Sequence, residues 1–303
     1  MNIIHGIAHA RKFKNPVVAL GVFDGVHLAH QHILKSAVNI ARRNNGTSVV
    51  VTFWPHPQKQ KSLYSLKHRL YLISQLGIDA CIVVNFSPKF ASIRAEEFIR
   101  KILVGKIGAK YICVGKNFRF GRYAAGSVGL LKKFSRPLEY KLKVFSVIKK
   151  RSIPVSSTYI RKLITRGRLA NAGKLLRKPV TVLGTVIRGN SLARKFGFPT
   201  ANINPHHEIL PPNGIYSVRI NFAGKNYKGI CYIGSRPTLN VKQDRNRHVE
   251  VHIFNLKKNL YKKDLEIQFI TFIRKERRFN SKEDLIKQVK KDIFLTKTRF
   301  SLP

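Results

Sequence analysis

Along the first half of the chain, short runs dense in β-branched and aromatic residues alternate with longer stretches whose apolar positions recur at helical spacing. The runs are PVVALGVF, TSVVVTFW, DACIVVNF, KYICVGKNF and LKVFSVI; the stretches between them include HILKSAVNIARR, LKHRLYLISQL and AEEFIRKILVGKI. Continuously apolar strands need cover on both faces, and interleaved helices supply it, so this half predicts a Rossmann-like parallel sheet of about five strands. PVSSTYIRKLITRG then reads as a helix capped by Ser156 or Ser157 and ended by Gly167. RLANAGKLLRK reads as a second short helix leading to Pro179.

Beyond Pro179 the pattern changes to strand after strand: VTVLGTVIRG, GIYSVRINF, NYKGICYIG, HVEVHIFN and DLEIQFITFI, separated by glycines and short polar turns. Such spacing predicts a small antiparallel barrel. SKEDLIKQVKKDI closes the chain with a helix whose start, Ser281 and Asp284, resembles a capping box. The expected architecture is α/β, with residues 1–168 as a parallel-sheet domain, 179–303 as a barrel domain with a terminal helix, and 169–178 as a connecting helix.

Composition adds one oddity. In 303 residues there are 58 Lys+Arg against 14 Asp+Glu, a formal net charge of +44, while the hydrophobic fraction of 44% is ordinary for a packed globular chain. That surplus attracts any polyanion. The basic residues are scattered over the whole chain, with no tract of five or six like charges, so they do not define a nucleic-acid surface. Cys81, Cys113 and Cys231 lie apart inside apolar runs and read as reduced core thiols. The start MNIIHGIAHARKFK makes a poor secretion signal, and no run approaches the ~18 apolar residues of a membrane helix, so a cytoplasmic protein with no membrane partner is expected.

The first candidate for chemistry is GVFDGVHLAHQHIL, residues 21–34, between the first strand and the first helix. Ligands of open parallel sheets bind outside the carboxyl ends of the strands. Gly21 and Gly25 let the backbone bend closely there, and His27 and His30 share one face of the first helical turn. The open N–H groups and the positive dipole end of a helix suit phosphate. A metal site would need further ligands, which nearby carboxylates and His32 do not supply. Taken alone, two histidines at this spacing fit a chance arrangement equally well.

Three more stretches follow later strands and would converge on the same sheet edge: TFWPHPQ, VGKNFRFGRYAAG and VSSTYIRK. In order, spacing and wording, these segments make the chain resemble the bacterial bifunctional riboflavin kinase/FMN adenylyltransferases over nearly its whole length. The resemblance implies an enzyme with an N-terminal nucleotidyltransferase domain, in which the FMN phosphate attacks the α-phosphate of ATP to give FAD and pyrophosphate. It implies that His27 and His30 contact ATP phosphates, and that Gly21, Phe23, Asp24 and Gly25 line the same nucleotide site. It also implies that Asn117 belongs to that site and that Ser156, Ser157, Thr158 and Arg161 grip phosphate. Ala29 departs from the family, which has glycine there. If the added methyl overpacks the turn by ~1–3 kcal/mol, nucleotide binding weakens roughly ten- to hundredfold.

In the second half, GFPTANI places Thr200 and Asn202 two residues apart, so that in extended backbone both side chains face one way. Their oxygens suit Mg²⁺ carrying ATP phosphates. In VEVHIF, Glu250 falls on the strand face opposite Val249, Val251 and Ile253. The resemblance implies that Glu250 is the general base for phosphorylation of riboflavin, that Thr200 and Asn202 bind Mg²⁺ and ATP, and that Gly189 belongs to a glycine-rich loop over the nucleotide. His252 reads as packing. Ala193 and Lys262 stand where the family has glycine, while CYIGSRPT and the Arg274, Glu276 and Phe279 of IRKERRF fit it. Riboflavin, FMN and ATP are thus the expected small-molecule partners, with flavins as substrate and product. Two alternatives stay open: a riboflavin kinase whose transferase is weakened by Ala29, and a nucleic-acid-binding protein, motivated by the charge.

Overall fold

A computed structural model describes residues 1–57, 62–150, 152–189, 197–235, 247–256 and 258–301. The chain divides into two compact units, Met1–Tyr159 and Ile160–Pro303.

The first unit is built on a sheet of β1 (Asn2–His5), β2 (Val17–Leu20), β3 (Ser48–Trp54), β4 (Ala80–Asn85), β5 (Tyr111–Gly115) and β6 (Lys141–Phe145). Its spatial order is β1-β4-β3-β2-β5-β6, and every pairing is parallel. Six strands replace the expected five. The extra one, β1, is an edge strand of four residues that are mostly exposed, so its short NIIH pattern carries little hydrophobic signal.

Alternate side chains of the central strands feed two cores. On one face Val17, Ala19, Val50, Cys81 and Cys113 pack against Leu34, Ala37 and Val38 of α1 (Leu28–Arg43) and Leu70 and Ile73 of α2 (Leu66–Ser74). On the other, Val18, Leu20, Val49, Val51 and Ile112 meet Phe98, Ile99, Ile102 and Leu103. These last residues belong to a helix that begins as α-helical (Ala95–Glu97) and continues as π-helical (Phe98–Lys106). Each such fully buried aliphatic side chain contributes about 1.5–3 kcal/mol relative to exposure. That two-sided burial is why these strands read as uninterrupted apolar runs.

The order of strands fixes where a ligand can bind. From β2 the chain builds outward through β3 and β4 on one side, then returns to place β5 and β6 on the other. β2 therefore stands at the point where the order reverses, and a crevice opens there beyond the carboxyl ends of β2 and β5.

Two short strands, β7 (Lys149–Lys150) and β8 (Ile153–Pro154), pair antiparallel near the end of the first unit. The second unit is a closed antiparallel barrel of β9 (Thr181–Ile187), β10 (Ala201–Asn204), β11 (Gly214–Phe222), β12 (Lys225–Gly234), β13 (His248–Ile253) and β14 (Asp264–Arg274), in the order β10-β13-β12-β11-β14-β9. Here too a short strand, β10, was not among the five expected: ANIN buries only Ile203 fully. The barrel core holds Val182, Val218, Ile220, Cys231, Val249, Val251, Leu265 and Ile267. The terminal helix Lys282–Ser301 starts with Ser281 Oγ accepting from the Asp284 amide at 3.1 Å. It is tied down by the buried Asp292, which takes both Nε (3.1 and 3.0 Å) and Nη2 (2.8 Å) of Arg274. All three cysteines are buried and free. No helix among the described residues is long and apolar enough to cross a membrane.

Candidate functional site

Between β2 and α1 the backbone makes a turn that only particular residues tolerate. Phe23, Gly25 and Val26 all have positive φ, and a Cβ at Gly25 would lie 2.5 Å from Leu63 Cδ1, so another residue there would be strained in its backbone and would need the Leu63 side chain to shift. Asp24, 1% exposed, accepts from the amides of Leu63 (2.9 and 3.0 Å) and Tyr64 (3.3 Å). Its carboxylate thus anchors the turn to the segment ahead of α2. Phe23 is buried beneath the turn, with its ring edge-on to His30 at 5.3 Å.

His27 is the N-cap residue of α1 and places no side chain on the first-turn amides; that turn also holds no acidic residue. The positive end of the helix therefore carries no capping side chain or acidic residue, an arrangement suited to an anion. The rings of His27 and His30 stack, with centroids 3.6 Å apart and planes 17° from parallel. Both Nδ1 atoms are buried without a hydrogen-bond partner. Burial lowers His27 from 6.5 to about 4, and burial, then the neighbouring His27 and Arg69, hold His30 well below the usual imidazole value. Both shifts favour the uncharged form of each ring near neutral pH.

Ser156 and Ser157 take different tasks. Ser156 Oγ accepts from the Tyr159 amide at 3.2 Å and caps the helix Ser157–Thr165, while Ser157 Oγ donates to the Asp24 carbonyl at 2.8 Å and so braces the turn. Thr158 and Arg161 follow on the same helix. Asn117 is exposed two residues past the end of β5, in a cavity of about 370 Å³ lined also by Lys116, Phe118, Arg119 and Ser127. His32 is exposed against Phe145, away from the His27–His30 pair. Ala29 is the second residue of α1, half-buried, in ordinary helical backbone.

In the barrel, Asn202 of β10 and Tyr232 of β12 are both direct partners of Glu250 on β13, which sets the three in one row on one face. Thr200 Oγ1 donates to Glu250 Oε2 at 3.2 Å. The aliphatic neighbours Val249, Val251 and Ile253 are buried on the other face, as the alternation predicted. A Cβ on Gly189 would overlap the Asn202 carboxamide, so this glycine lets the chain after β9 close over it. His252 Nδ1 donates to the Pro199 carbonyl at 2.8 Å and its ring meets those of Phe198 and Phe254, a packing role that steadies the approach to Thr200. Tyr232 donates to Glu276, which also accepts from Asn213 Nδ2 at 3.1 Å. Ala193 lies outside the described residues.

A family model described as FAD synthetase matches residues 9–159, and one described as riboflavin kinase matches residues 176–300. A curated relative from Buchnera aphidicola subsp. Schizaphis graminum, named bifunctional riboflavin kinase/FMN adenylyltransferase, is 37% identical over 100% of both chains. The chain belongs to that family. A Bacillus subtilis relative of the same name is 34% identical over 91% of this chain and 90% of its own. A solved structure described as a macrolide-efflux protein from Streptococcus pneumoniae superposes with a TM-score of 0.82 at 26% identity, covering 98% of this chain and 99% of that one. Efflux is that protein's description; both family models name flavin enzymes instead. With both halves of the bifunctional family present, neither the kinase-only reading nor the nucleic-acid reading is favoured.

Sequence reasoning missed Arg69 and Tyr232. Arg69 had a visible signal: in LKHRLYLIS it falls between Leu66, Leu70 and Ile73 on the inward face of an amphipathic helix.

Proposed function

We propose that the barrel unit phosphorylates riboflavin to FMN and that the sheet unit converts FMN to FAD, each with ATP. In this reading residues 1–168 and 179–303 are the two catalytic domains, 169–178 joins them, and the enzyme works in the cytoplasm.

The observation that carries the kinase half is the Thr200–Glu250 contact at 3.2 Å, with Asn202 directly opposite Glu250. A hydroxyl, a carboxamide and a carboxylate offer hard oxygens on one strand face, a donor set that fits Mg²⁺ shared with ATP phosphates. Thr200 and Asn202 would hold that ion. When bound, it neutralises phosphate charge and orients the γ-phosphoryl group. Glu250 takes the proton of the terminal ribityl hydroxyl; the hydroxyl oxygen bonds to the γ-phosphorus as the bond to the bridging oxygen breaks and ADP leaves.

In the sheet unit an FMN phosphate oxygen bonds to the α-phosphorus of ATP and pyrophosphate departs. The chain needs no nucleophile of its own here, because positioning and charge stabilisation do the work. His27, His30 and the first-turn amides of α1 face the polyphosphate. Thr158 and Arg161 add donors and charge. Asn117 orients substrate at the end of β5. Gly21, Phe23, Asp24, Gly25, Ser156 and Ser157 shape the turn that holds the histidines.

The test is to supply riboflavin, or FMN in its place, with ATP and Mg²⁺ and to resolve the flavins by chromatography over time. FMN followed by FAD, with FAD also formed from supplied FMN, is expected. No conversion in either tube overturns the reading.

A further inference from the structure

Arg69 of α2 is 0% exposed, a rare condition for a cation. Its Nη1 donates to the carbonyls of Val22 at 3.0 Å and Phe53 at 3.3 Å, and reaches Thr52 Oγ1 at 3.4 Å. Thr52 Oγ1 itself donates to the Val22 carbonyl at 2.8 Å. Val22 lies in the turn after β2, and Phe53 near the end of β3, so one guanidinium gathers two strand ends under the nucleotide turn. Its Nε and Nη2 are buried without hydrogen-bond partners. A guanidinium cannot give up its charge to relieve such burial, and unsatisfied buried donors persist chiefly where function repays their cost in stability.

The groups that face this cation come from several elements. Asp24 of the turn supplies the counter-charge, Cys81 comes from β4, and the Trp54 ring lies 5.5 Å from the guanidinium carbon. On the ligand side stand His30 and, stacked on it, His27. Arg69 is too enclosed to touch a nucleotide. Its influence reaches the ligand through the turn it holds and through the imidazole in front of it.

We propose that Arg69 is a positioning residue of the adenylyl-transfer site: through two strand-end carbonyls it fixes the turn that carries His27 and His30, and its buried charge sets the potential at which those rings meet a polyphosphate. The proposal rests on the adenylyl-transfer reading of the first unit. Before ligand enters, a neutral stacked pair avoids repulsion between two cations at van der Waals distance and beside a third. A polyphosphate reverses that balance, so its binding draws a proton onto the pair.

The test compares the parent protein with Arg69→Met and Arg69→Lys. Ring titration of His27 and His30 is followed by NMR in the full-length, ligand-free protein; FAD formation is measured against pH; and riboflavin phosphorylation, carried by the other unit, is the control for folding. In Arg69→Met, ring protonation is expected at higher pH than in the parent, and FMN adenylylation at least tenfold slower with a displaced pH profile. Arg69→Lys, which keeps the charge and loses the planar fork, is expected to restore the parent titration with only part of the rate. Unmoved titration in Arg69→Met overturns the proposal, whether or not FAD formation falls, because slower turnover alone marks a merely structural role. The ring titration needs no substrate, so it decides the proposal even if the parent forms no FAD, a failure that would count against the reaction assigned to the unit. Should Arg69→Met not fold, Arg69→Gln is titrated in its place, and rings that protonate as in the parent overturn the proposal.

Discussion

The two sites of this chain are built on opposite plans, and the chemistry of their nucleophiles explains why. At the end of β2 stand two stacked imidazoles, His27 buried and His30 half-buried, at the N-terminus of α1, while the carboxylate of the turn, Asp24, accepts from the amides of Leu63 and Tyr64. On the barrel wall a carboxylate stands in the row itself, with Thr200 donating to it. The phosphate of FMN has a second pKa of about 6 and is largely dianionic at pH 7, so it attacks without losing a proton. A ribityl alcohol does not. A base is needed only where the nucleophile is an alcohol, and a carboxylate beside an anionic nucleophile would repel it.

The largest expected effect tests that division directly. Glu250→Gln removes the proposed base while keeping the shape, and riboflavin phosphorylation should fall by about 10²–10⁴-fold. FAD formation from supplied FMN should stay within about twofold, as measured by flavin chromatography. Loss of both activities would break the comparison. The converse variant, His30→Ala, should lower FAD formation by about 10²–10³-fold, the scale of losing one transition-state donor, and leave FMN formation untouched.

Burial of His27 also sets a pH dependence of stability. The unfolded chain protonates His27 near 6.5, the folded one only near 4. The folded form therefore binds fewer protons in that window, and its stability is complete above about pH 6.5 and declines as pH falls toward 4. The loss is about 3 kcal/mol over the whole interval. Urea unfolding of the first unit between pH 7.5 and 5 should show this decline, and His27→Asn should flatten it.

Much of both units was legible from residue patterns, for a physical reason. Strands buried on both faces give unbroken apolar runs, and Val249, Val251 and Ile253 alternate cleanly with Glu250 because one face of the barrel wall is core and the other is half-exposed. What escaped was what makes little apolar contact: β1 at an open edge and β10, four residues with one fully buried side chain. The histidines could be placed on one helical face from spacing, yet their stacking and the burial that lowers both pKa values arise from tertiary packing, including the charge of Arg69, distant in sequence. Asp24 illustrates the same limit. A carboxylate next to a phosphate-binding turn looks like a ligand until the amides of residues 63 and 64 are seen to occupy it.

Ala29 offers the smallest and sharpest test of how tightly the first site is drawn. It sits in regular helical backbone with no positive φ, so glycine is not required there by conformation. The methyl group can act only through the space it takes near the incoming polyphosphate. Ala29→Gly should therefore lower the KM for ATP in FAD formation by no more than about tenfold, the smaller end of what a single crowded methyl costs. Glycine also lowers helix propensity, by up to about 1 kcal/mol, and the first unit should melt slightly earlier. KM and Tm would then both fall, a gain for nucleotide binding and a loss for stability. A hundredfold gain in FAD formation would instead mean that the methyl blocks the site, and would restore the reading of a kinase with a weakened transferase.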